Sequence, residues 1–216
     1  MANHFLFIVC IACCLQGCAQ EASKSKPDAS AIKVGAGCEG CEAIYESPVP
    51  FEQLNNTDTL PGFSSGPPLL VTGVIYQPDG KTPAPGIVLY VYHTDQAGNY
   101  ATRGNEKGWG KRHGYMRGWI KTGTDGRYAF YTSVPASYPN SNNPKHIHPT
   151  IKEPGKTEYW IDEFVFEDDP LLPASEKNRR NPVGGSGLLK TVNQNGLLVA
   201  KRDITLGLNV QNYPKN

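Results

Sequence analysis

The sequence predicts an all-β fold, specifically a β-sandwich with long loops around its functional site. The 216 residues include 23 Gly and 18 Pro, which favour turns over long helices. No extended stretch shows the 3.6-residue apolar period of an amphipathic helix, whereas several short runs are rich in β-branched and aromatic residues. The hydrophobic fraction of 38% is enough to bury a core, and the length fits one domain with additional segments.

The charge balance gives no electrostatic reason to expect a nucleic-acid partner. Lys and Arg total 21 while Asp and Glu total 20, so the formal net charge is +1. Domains that bind DNA or RNA usually carry a marked basic excess. We therefore predict a protein that does not act on nucleic acid.

Residues 1–17 are predicted to form an export signal. Residues 1–15 contain an apolar run that is too short to span a bilayer as a stable helix. The tetrapeptide Leu-Gln-Gly-Cys at residues 15–18 resembles the bacterial lipobox, in which the signal is removed before the cysteine and that cysteine carries lipids. The resemblance implies a chain anchored to the lipid bilayer through Cys18. The residue after the cysteine is Ala19 rather than Asp, which resembles the pattern that directs lipoproteins to the outer membrane. We therefore expect a location in the bacterial cell envelope, at the outer membrane.

Residues 18–66 are predicted to be a tether outside the folded domain. The sequence as far as about residue 50 is polar and rich in small side chains, a composition that buries too little apolar surface to fold. Cys38 and Cys41 are the two cysteines that remain once Cys18 is lipidated and the signal is lost. In an exported protein such a pair most simply forms a disulfide. A thioredoxin-like redox pair is the alternative, although no βαβ pattern follows the motif.

Residues 67–216 are predicted to form the β-sandwich. Residues 69–76 and 86–93 are rich in β-branched and aromatic side chains, and Pro-Asp-Gly at residues 78–80 favours a turn between them. Residues 96–119 are rich in Gly and Arg without clean periodicity, and we interpret them as a loop that shapes a site, because loops of this length are otherwise uncommon. Further strands are predicted at residues 127–132, 146–148, 159–166, 197–200 and 203–208.

A His-x-His pair, His146 and His148, is the first candidate for a metal site. In an extended strand both imidazoles point to the same face, about 6.6 Å apart along the backbone, so one metal could bind both. The spacing to Glu153 resembles the first metal motif of cupins, which would give an iron or manganese site of two histidines and one carboxylate. Cupins supply a further histidine from a later strand, and His148 is the last histidine of this chain.

Two tyrosines offer a second ligand set. Tyr138 precedes the histidines, and the Pro, Asn and Ser residues between them can fold its phenol back toward the imidazoles. Tyr100 lies upstream in the long loop. Two tyrosinates and two neutral imidazoles form a hard, anionic set that suits Fe(III) better than Fe(II) or Zn(II). The predicted ligands are therefore Tyr100, Tyr138, His146 and His148.

These residues, in this order, resemble the intradiol ring-cleavage dioxygenases, which include protocatechuate and catechol dioxygenases. The resemblance spans about residues 69–172. It is carried by Gly-Arg-Tyr-Ala-Phe at residues 126–130, Pro-Ala-Ser-Tyr-Pro at 135–139, the two histidines, and the strand and acidic turn at 163–171. It implies a β-sandwich enzyme that uses Fe(III) and O2 to cleave a catechol-type ring between its hydroxyls, giving a muconate-type diacid. It also implies that Tyr100 stays bound to the iron and that Tyr138 leaves when substrate arrives.

Two positions depart from the pattern of this family. Protocatechuate-type enzymes place an Arg three residues before the first ligand histidine, where it stabilises charge on the ring, and here that position is Asn143. The family's Gln in the later strand is replaced by Glu163. The missing charge leaves open a non-catalytic, transthyretin-like binding module that keeps the family core.

Residues of the long loop that could supply a cation are Arg103, Arg112, His113 and Arg117. His93, on a strand, is expected to be packed or at the surface rather than a ligand.

Overall fold

The computed structural model describes residues 25–215. Residues 1–17, predicted as an export signal, and Cys18 lie outside the described residues. The strands are β1 (Thr57–Thr59), β2 (Pro68–Tyr76), β3 (Val88–His93), β4 (Arg117–Lys121), β5 (Arg127–Ser133), β6 (His146–Lys152), β7 (Tyr159–Trp160), β8 (Phe164–Phe166), β9 (Leu188–Leu189), β10 (Val192–Gln194), β11 (Leu197–Lys201) and β12 (Ile204–Thr205). The short helices are α1 (Gly110–His113), α2 (Ala174–Lys177) and three 3₁₀ helices, Cys41–Glu46, Phe51–Gln53 and Phe63–Ser65.

The strands form two mixed sheets that pack face to face. Sheet I has the order β1-β5-β2-β11-β10, and β12 also pairs with β2. Sheet II has the order β4-β3-β6-β8-β9, and β7 also pairs with β6. Apolar side chains from both sheets, among them Val71 and Phe130 from sheet I and Leu89, Ile147 and Phe164 from sheet II, form one buried cluster. The predicted all-β sandwich is confirmed.

Strand β2 shows how the residue pattern produces this packing. Leu69, Val71 and Ile75 alternate with less buried neighbours, as expected for a strand with one face toward the core. At Gly73 a Cβ atom would lie 1.8 Å from the carbonyl oxygen of Arg202. Only glycine therefore fits where the segment between β11 and β12 runs directly alongside β2.

Strand β3 is buried on both faces because the N-terminal segment covers the outer face of sheet II. Ala43 and Ile44, in the first 3₁₀ helix, are fully buried. They belong to a second cluster, which also contains Val88, Tyr90 and Trp119. The structure thus contradicts the tether prediction for much of the described part of residues 18–66. The prediction fails because average composition does not reveal the few apolar side chains that cover a sheet. In the same segment, β1 pairs with β5 of sheet I.

Two other segments also differ from their predicted structure, one predicted as a loop and one as a strand. Residues 96–119 are not loop throughout, because they contain α1 and the start of β4, the edge strand of sheet II. The predicted strand at 159–166 is divided into β7 and β8. At the break, the Asp162 carboxylate accepts the backbone N–H of Val183, which ties the chain to a later loop. That contact joins residues far apart in sequence and has no local signature.

Within residues 25–215, no helix has both the length and the apolar character needed to cross a membrane.

Candidate metal centre and substrate clefts

Strand β6 directs His146 and His148 to one face, where their Nε2 atoms lie 3.0 Å apart. The Nδ1–H group of His146 donates to the Pro144 carbonyl oxygen at 2.7 Å, which leaves the Nε2 atom with a free lone pair. The His148 ring stacks on Tyr92, its cross-strand neighbour on β3, with ring centroids 4.6 Å apart. Both imidazoles are therefore held in fixed orientations.

The two tyrosines bring their phenol oxygens to the same point. The Tyr138 Oη atom lies 3.0 Å from His146 Nε2 and 3.2 Å from His148 Nε2. The Tyr100 Oη atom lies 2.8 Å from His148 Nε2 and in close contact with the Tyr138 Oη atom. Asn140, with a φ of 56°, helps to turn the chain between Tyr138 and β6. The structure thus brings together all four side chains predicted from the sequence. We call the two phenol Oη atoms and the two imidazole Nε2 atoms the donor cluster.

The donor cluster has more lone pairs than protons. Five close contacts join its four atoms. Two phenols and one imidazole can supply three protons at most, since the proton of His146 is engaged at Nδ1. At least two contacts therefore set lone pairs against each other. Atoms bound to one ion at about 2.0–2.2 Å and at right angles lie about 3 Å apart, so a metal ion would relieve this repulsion.

Burial controls the protonation of the cluster in the absence of a cation. Desolvation raises the pKa of both phenols above the usual range, and for Tyr100 the hydrogen bond to Tyr138 raises the pKa further. Desolvation and the nearby His146 lower the pKa of His148 to about 3. His148 is therefore neutral at physiological pH, the form that binds metal, while the phenols need a cation in order to ionise.

A cleft of about 670 Å³ opens over the donor cluster, and we call it the main cleft. Its volume lies within the range of small-molecule sites. Tyr138, His146 and His148 line it, whereas Tyr100 does not. The other lining residues are Asn142, Asn143, Pro144, Glu163, Val165, Leu171, Pro173, Glu176 and Arg179. Asn143 thus lies on the wall of the cleft, where the family resemblance places a substrate-facing residue.

A side cleft of about 280 Å³ adjoins the same cluster. His148, Glu163 and Tyr92 line it together with residues 37–41. Cys38 and Cys41 form a disulfide with Cα atoms 5.7 Å apart, and the bond closes this turn. The N-terminal segment therefore contributes a wall next to the donor cluster.

None of the four cation candidates from the long loop lines either cleft. Each has another partner. Arg103 lies over the Tyr115 ring, Arg117 pairs with Glu46 at 2.7 Å, and the buried His113 contacts the Tyr90 hydroxyl through Nδ1 at 2.9 Å. Arg112 pairs with Glu39, a residue of the side-cleft wall. The cation that does line the main cleft is Arg179. Sequence reasoning missed this residue, since nothing in the polar segment around it links it to β6.

Two further residues are placed away from the donor cluster. His93 is buried, with Nε2 2.6 Å from the Thr132 hydroxyl, and is packed as expected. Glu153, the carboxylate of the cupin alternative, follows β6 out of phase with the histidines. It accepts hydrogen bonds from the Tyr159 and Tyr213 hydroxyls at 2.7 and 2.9 Å. Because these partners hold Glu153 apart from the donor cluster, the cupin interpretation is wrong.

Comparisons with known proteins agree on one family. A family model described as Dioxygenase matches residues 44–183. Catechol 1,2-dioxygenase 1 of Acinetobacter lwoffii is 28% identical over 138 residues, which cover 55% of this chain and 42% of that protein. The chain thus spans less than half the length of this curated relative.

Solved structures show the same fold. Hydroxyquinol 1,2-dioxygenase from Pseudomonas putida DLL-E4 has a TM-score of 0.51 at 21% identity, covering 74% of this chain and 63% of its own. Catechol 1,2-dioxygenase from Acinetobacter sp. ADP1 has a TM-score of 0.52 at 19% identity, covering 74% and 60%. The dioxygenase domain of a carbohydrate-binding fusion protein from Streptomyces sp. SirexAA-E has a TM-score of 0.50 at 22% identity, covering 68% and 85%.

Proposed function

Because the chain belongs to the intradiol dioxygenase family, we propose that it is an Fe(III) enzyme that cleaves a catechol-type ring between its two hydroxyls. The reaction consumes one O2, and both oxygen atoms end in the carboxyl groups of a muconate-type diacid. The observation that carries the proposal is the convergence of Tyr100, Tyr138, His146 and His148 on one point. Two phenols and two imidazoles suit Fe(III).

The iron, when bound, supplies a Lewis acid and a template for the two catechol oxygens. Tyr138 faces the main cleft, whereas Tyr100 lies behind it, so we assign Tyr138 as the phenol that meets the substrate. A phenolate at this position can accept a catechol proton, because the acidities of the two groups are close. Tyr100, held between Tyr138 and His148, keeps its place in the site.

Asn143 supports a second candidate function, the binding module without turnover. An amide at the wall of the cleft can donate a hydrogen bond, but it carries no charge to stabilise a developing anion. The consequence for an enzyme is slow turnover with substrate binding preserved, because chelation of the metal does not depend on this side chain.

Colour and oxygen uptake test the proposal together. Tyrosinate bound to Fe(III) absorbs visible light, so protein grown with ample iron should be red-brown, and catechols should shift its spectrum. We expect O2 consumption with a panel of catechols, hydroxyquinols and carboxylated catechols. Protein that binds them all and consumes no O2 would favour the binding module, and protein that carries zinc or no metal would overturn the iron site.

The location of the protein is a separate part of the proposal and rests on the lipobox-like residues 15–18. We propose that Cys18 is lipidated and anchors the chain to the bacterial outer membrane. Cys18→Ser should release the protein from the membrane fraction, while Cys14→Ser, in the same signal, should not. A Cys18→Ser protein that still sediments with membranes would contradict the anchor.

A further inference from the structure

The two clefts over the donor cluster are lined by more acidic than basic side chains. Glu163 and Glu176 line the main cleft, and Glu39 and Glu163 line the side cleft. Among the described residues that line them, Arg179 is the one with a permanent positive charge. Glu176 pairs with Arg179, and Glu39 pairs with Arg112, so Glu163 is the acidic lining residue whose charge is left to disfavour an anionic substituent on the substrate.

The charge of Arg179 is already neutralised. Its Nη1 atom donates to the Asp162 carboxylate at 3.0 Å, and its Nε and Nη2 atoms donate to both oxygens of Glu176. A bidentate contact of this kind fixes the guanidinium plane and uses its donors. Two carboxylates thus surround one guanidinium, and little of its charge is left for a ligand.

Glu163, by contrast, has no strong ionic partner in the described part of the chain. Among the described residues, the basic group within 4.0 Å of the Glu163 carboxylate is His148, whose Nδ1 atom lies 3.9 Å away, beyond hydrogen-bond distance. The side chain of Glu163 is half-exposed. The pairing of β6 with β8 places His146 opposite Val165, so Glu163 lies opposite His148 on the same face of the sheet.

Glu163 also borders both clefts, so it would lie beside a substrate bound in either one. His148 and Glu163 are the two residues that the main cleft and the side cleft share. A ring held at the donor cluster therefore has this carboxylate at its edge, whichever cleft receives its substituent. The charge of Glu163 acts on that substituent without the metal as intermediary.

We propose that Glu163 makes this site selective by charge, so that it prefers catechols with a cationic side arm, such as an amine, and disfavours catechols with a carboxylate. The inference rests on the proposed function and adds the substrate class. Glu163 here is a specificity-determining residue. The partial exposure of Glu163 limits the size of the effect, because solvent screens each interaction.

Three catechols of nearly equal size test the proposal, bearing an aminoethyl, an ethyl or a carboxyethyl group para to one hydroxyl. Dissociation constants are measured by visible titration of the iron-loaded protein and by calorimetry, without oxygen, so that no turnover occurs. We expect the amine to bind about fivefold more tightly, and the carboxylate about fivefold more weakly, than the neutral ligand.

Matched variants separate the charge of Glu163 from its shape. Glu163→Gln should bring all three dissociation constants within about twofold of one another, while Glu163→Asp should keep their order. Glu52→Gln is the control, since Glu52 lines a different cleft that shares no residue with these two. Equal binding of the three ligands, or preference for the carboxylate, would overturn the charge selection and leave the dioxygenase function standing. Failure of all three to bind would overturn both.

Discussion

The orientation of each imidazole in the donor cluster is set by a contact that does not involve its Nε2 atom. His146 is fixed through its Nδ1–H group by the Pro144 carbonyl, and His148 is fixed by the face of Tyr92. The hydrogen bond selects the tautomer of His146, and both contacts fix the ring orientations before any metal binds. Tyr92 also stacks on His113, with ring centroids 3.8 Å apart, so the stack continues into the protein. The geometry of the site therefore depends on neighbouring side chains as well as on the donors.

We expect His146→Ala and His148→Ala each to abolish iron retention. Each removes one of the two imidazoles of the cluster, and the other histidines of the described chain, His93 and His113, are engaged elsewhere. Tyr100→Phe should strongly weaken the visible absorption, because one phenolate is lost. Iron content and the visible spectrum are the measurements.

Tyr131→Phe is the matched control for the tyrosine variant. Tyr131 lies on β5 in sheet I and packs against Phe63. Removing its hydroxyl should leave iron content and colour unchanged. If all three cluster variants kept the iron and spectrum of the wild type, the ligand assignment would be wrong.

We expect Asn143→Arg to raise kcat by about tenfold or more, with a smaller change in KM. A cation on this wall of the cleft would stabilise charge that develops on the ring, and one oriented donor can be worth on the order of 10²–10³ in rate. Because the benefit appears in the transition state, it belongs in kcat. Asn143→Gln, which adds length without charge, is the control. Equal rates for both variants would mean that this position does not act on the ring.

At the level of elements, the site is built from three pieces that separate parts of the fold hold in place. Strand β6 supplies both histidines, the turn after β5 supplies Tyr138, and the loop before α1 supplies Tyr100. The N-terminal segment covers the outer face of sheet II and reaches the side cleft. Sheet II, which carries the histidines, is therefore supported on both faces.

We expect Ile44→Ala to lower the free energy of unfolding by about 2–5 kcal/mol, the usual cost of a buried aliphatic truncation. Ile44 is fully buried against sheet II. Ile32→Ala makes the same change at a side chain that is 54% exposed and should cost less than about 1 kcal/mol. Urea denaturation measures both. Equal small costs would mean that residues 41–46 do not pack on the sheet.

For the whole molecule, the important fact is that the four donors come from segments spread over residues 100–148 and meet only when the chain is folded. If this chain binds iron as proposed, binding would be coupled to folding, because the unfolded chain offers no such cluster.

We expect removal of iron by a chelator to lower Tm by several degrees, since a tightly bound ligand stabilises the native state by about 3–4 kcal/mol at concentrations well above its Kd. Differential scanning calorimetry of the holo and apo proteins measures the shift. The His146→Ala variant provides the comparison, because its Tm should not respond to iron. A wild-type Tm that is independent of iron would contradict the coupling.

The sequence by itself determined the class of fold, the family and the set of candidate donors. Alternation of apolar and polar residues, as in β2, is a local property, and it predicts a strand wherever the chain occurs. Tyr100, Tyr138, His146 and His148 could be chosen by residue type and order, because the chemistry of a hard metal ion restricts which side chains can bind it.

Only the tertiary structure decided which charged side chains lie near the donor cluster and which segment covers sheet II. Arg179 reaches the main cleft, Glu163 lies opposite His148, and Ile44 packs on sheet II. Each of these facts is a contact between residues that are far apart in sequence, and neither periodicity nor composition encodes such a contact. They follow from how two sheets and their loops pack in three dimensions. For this reason the composition of residues 18–66 predicts a tether, whereas the structure packs much of their described part against the sandwich.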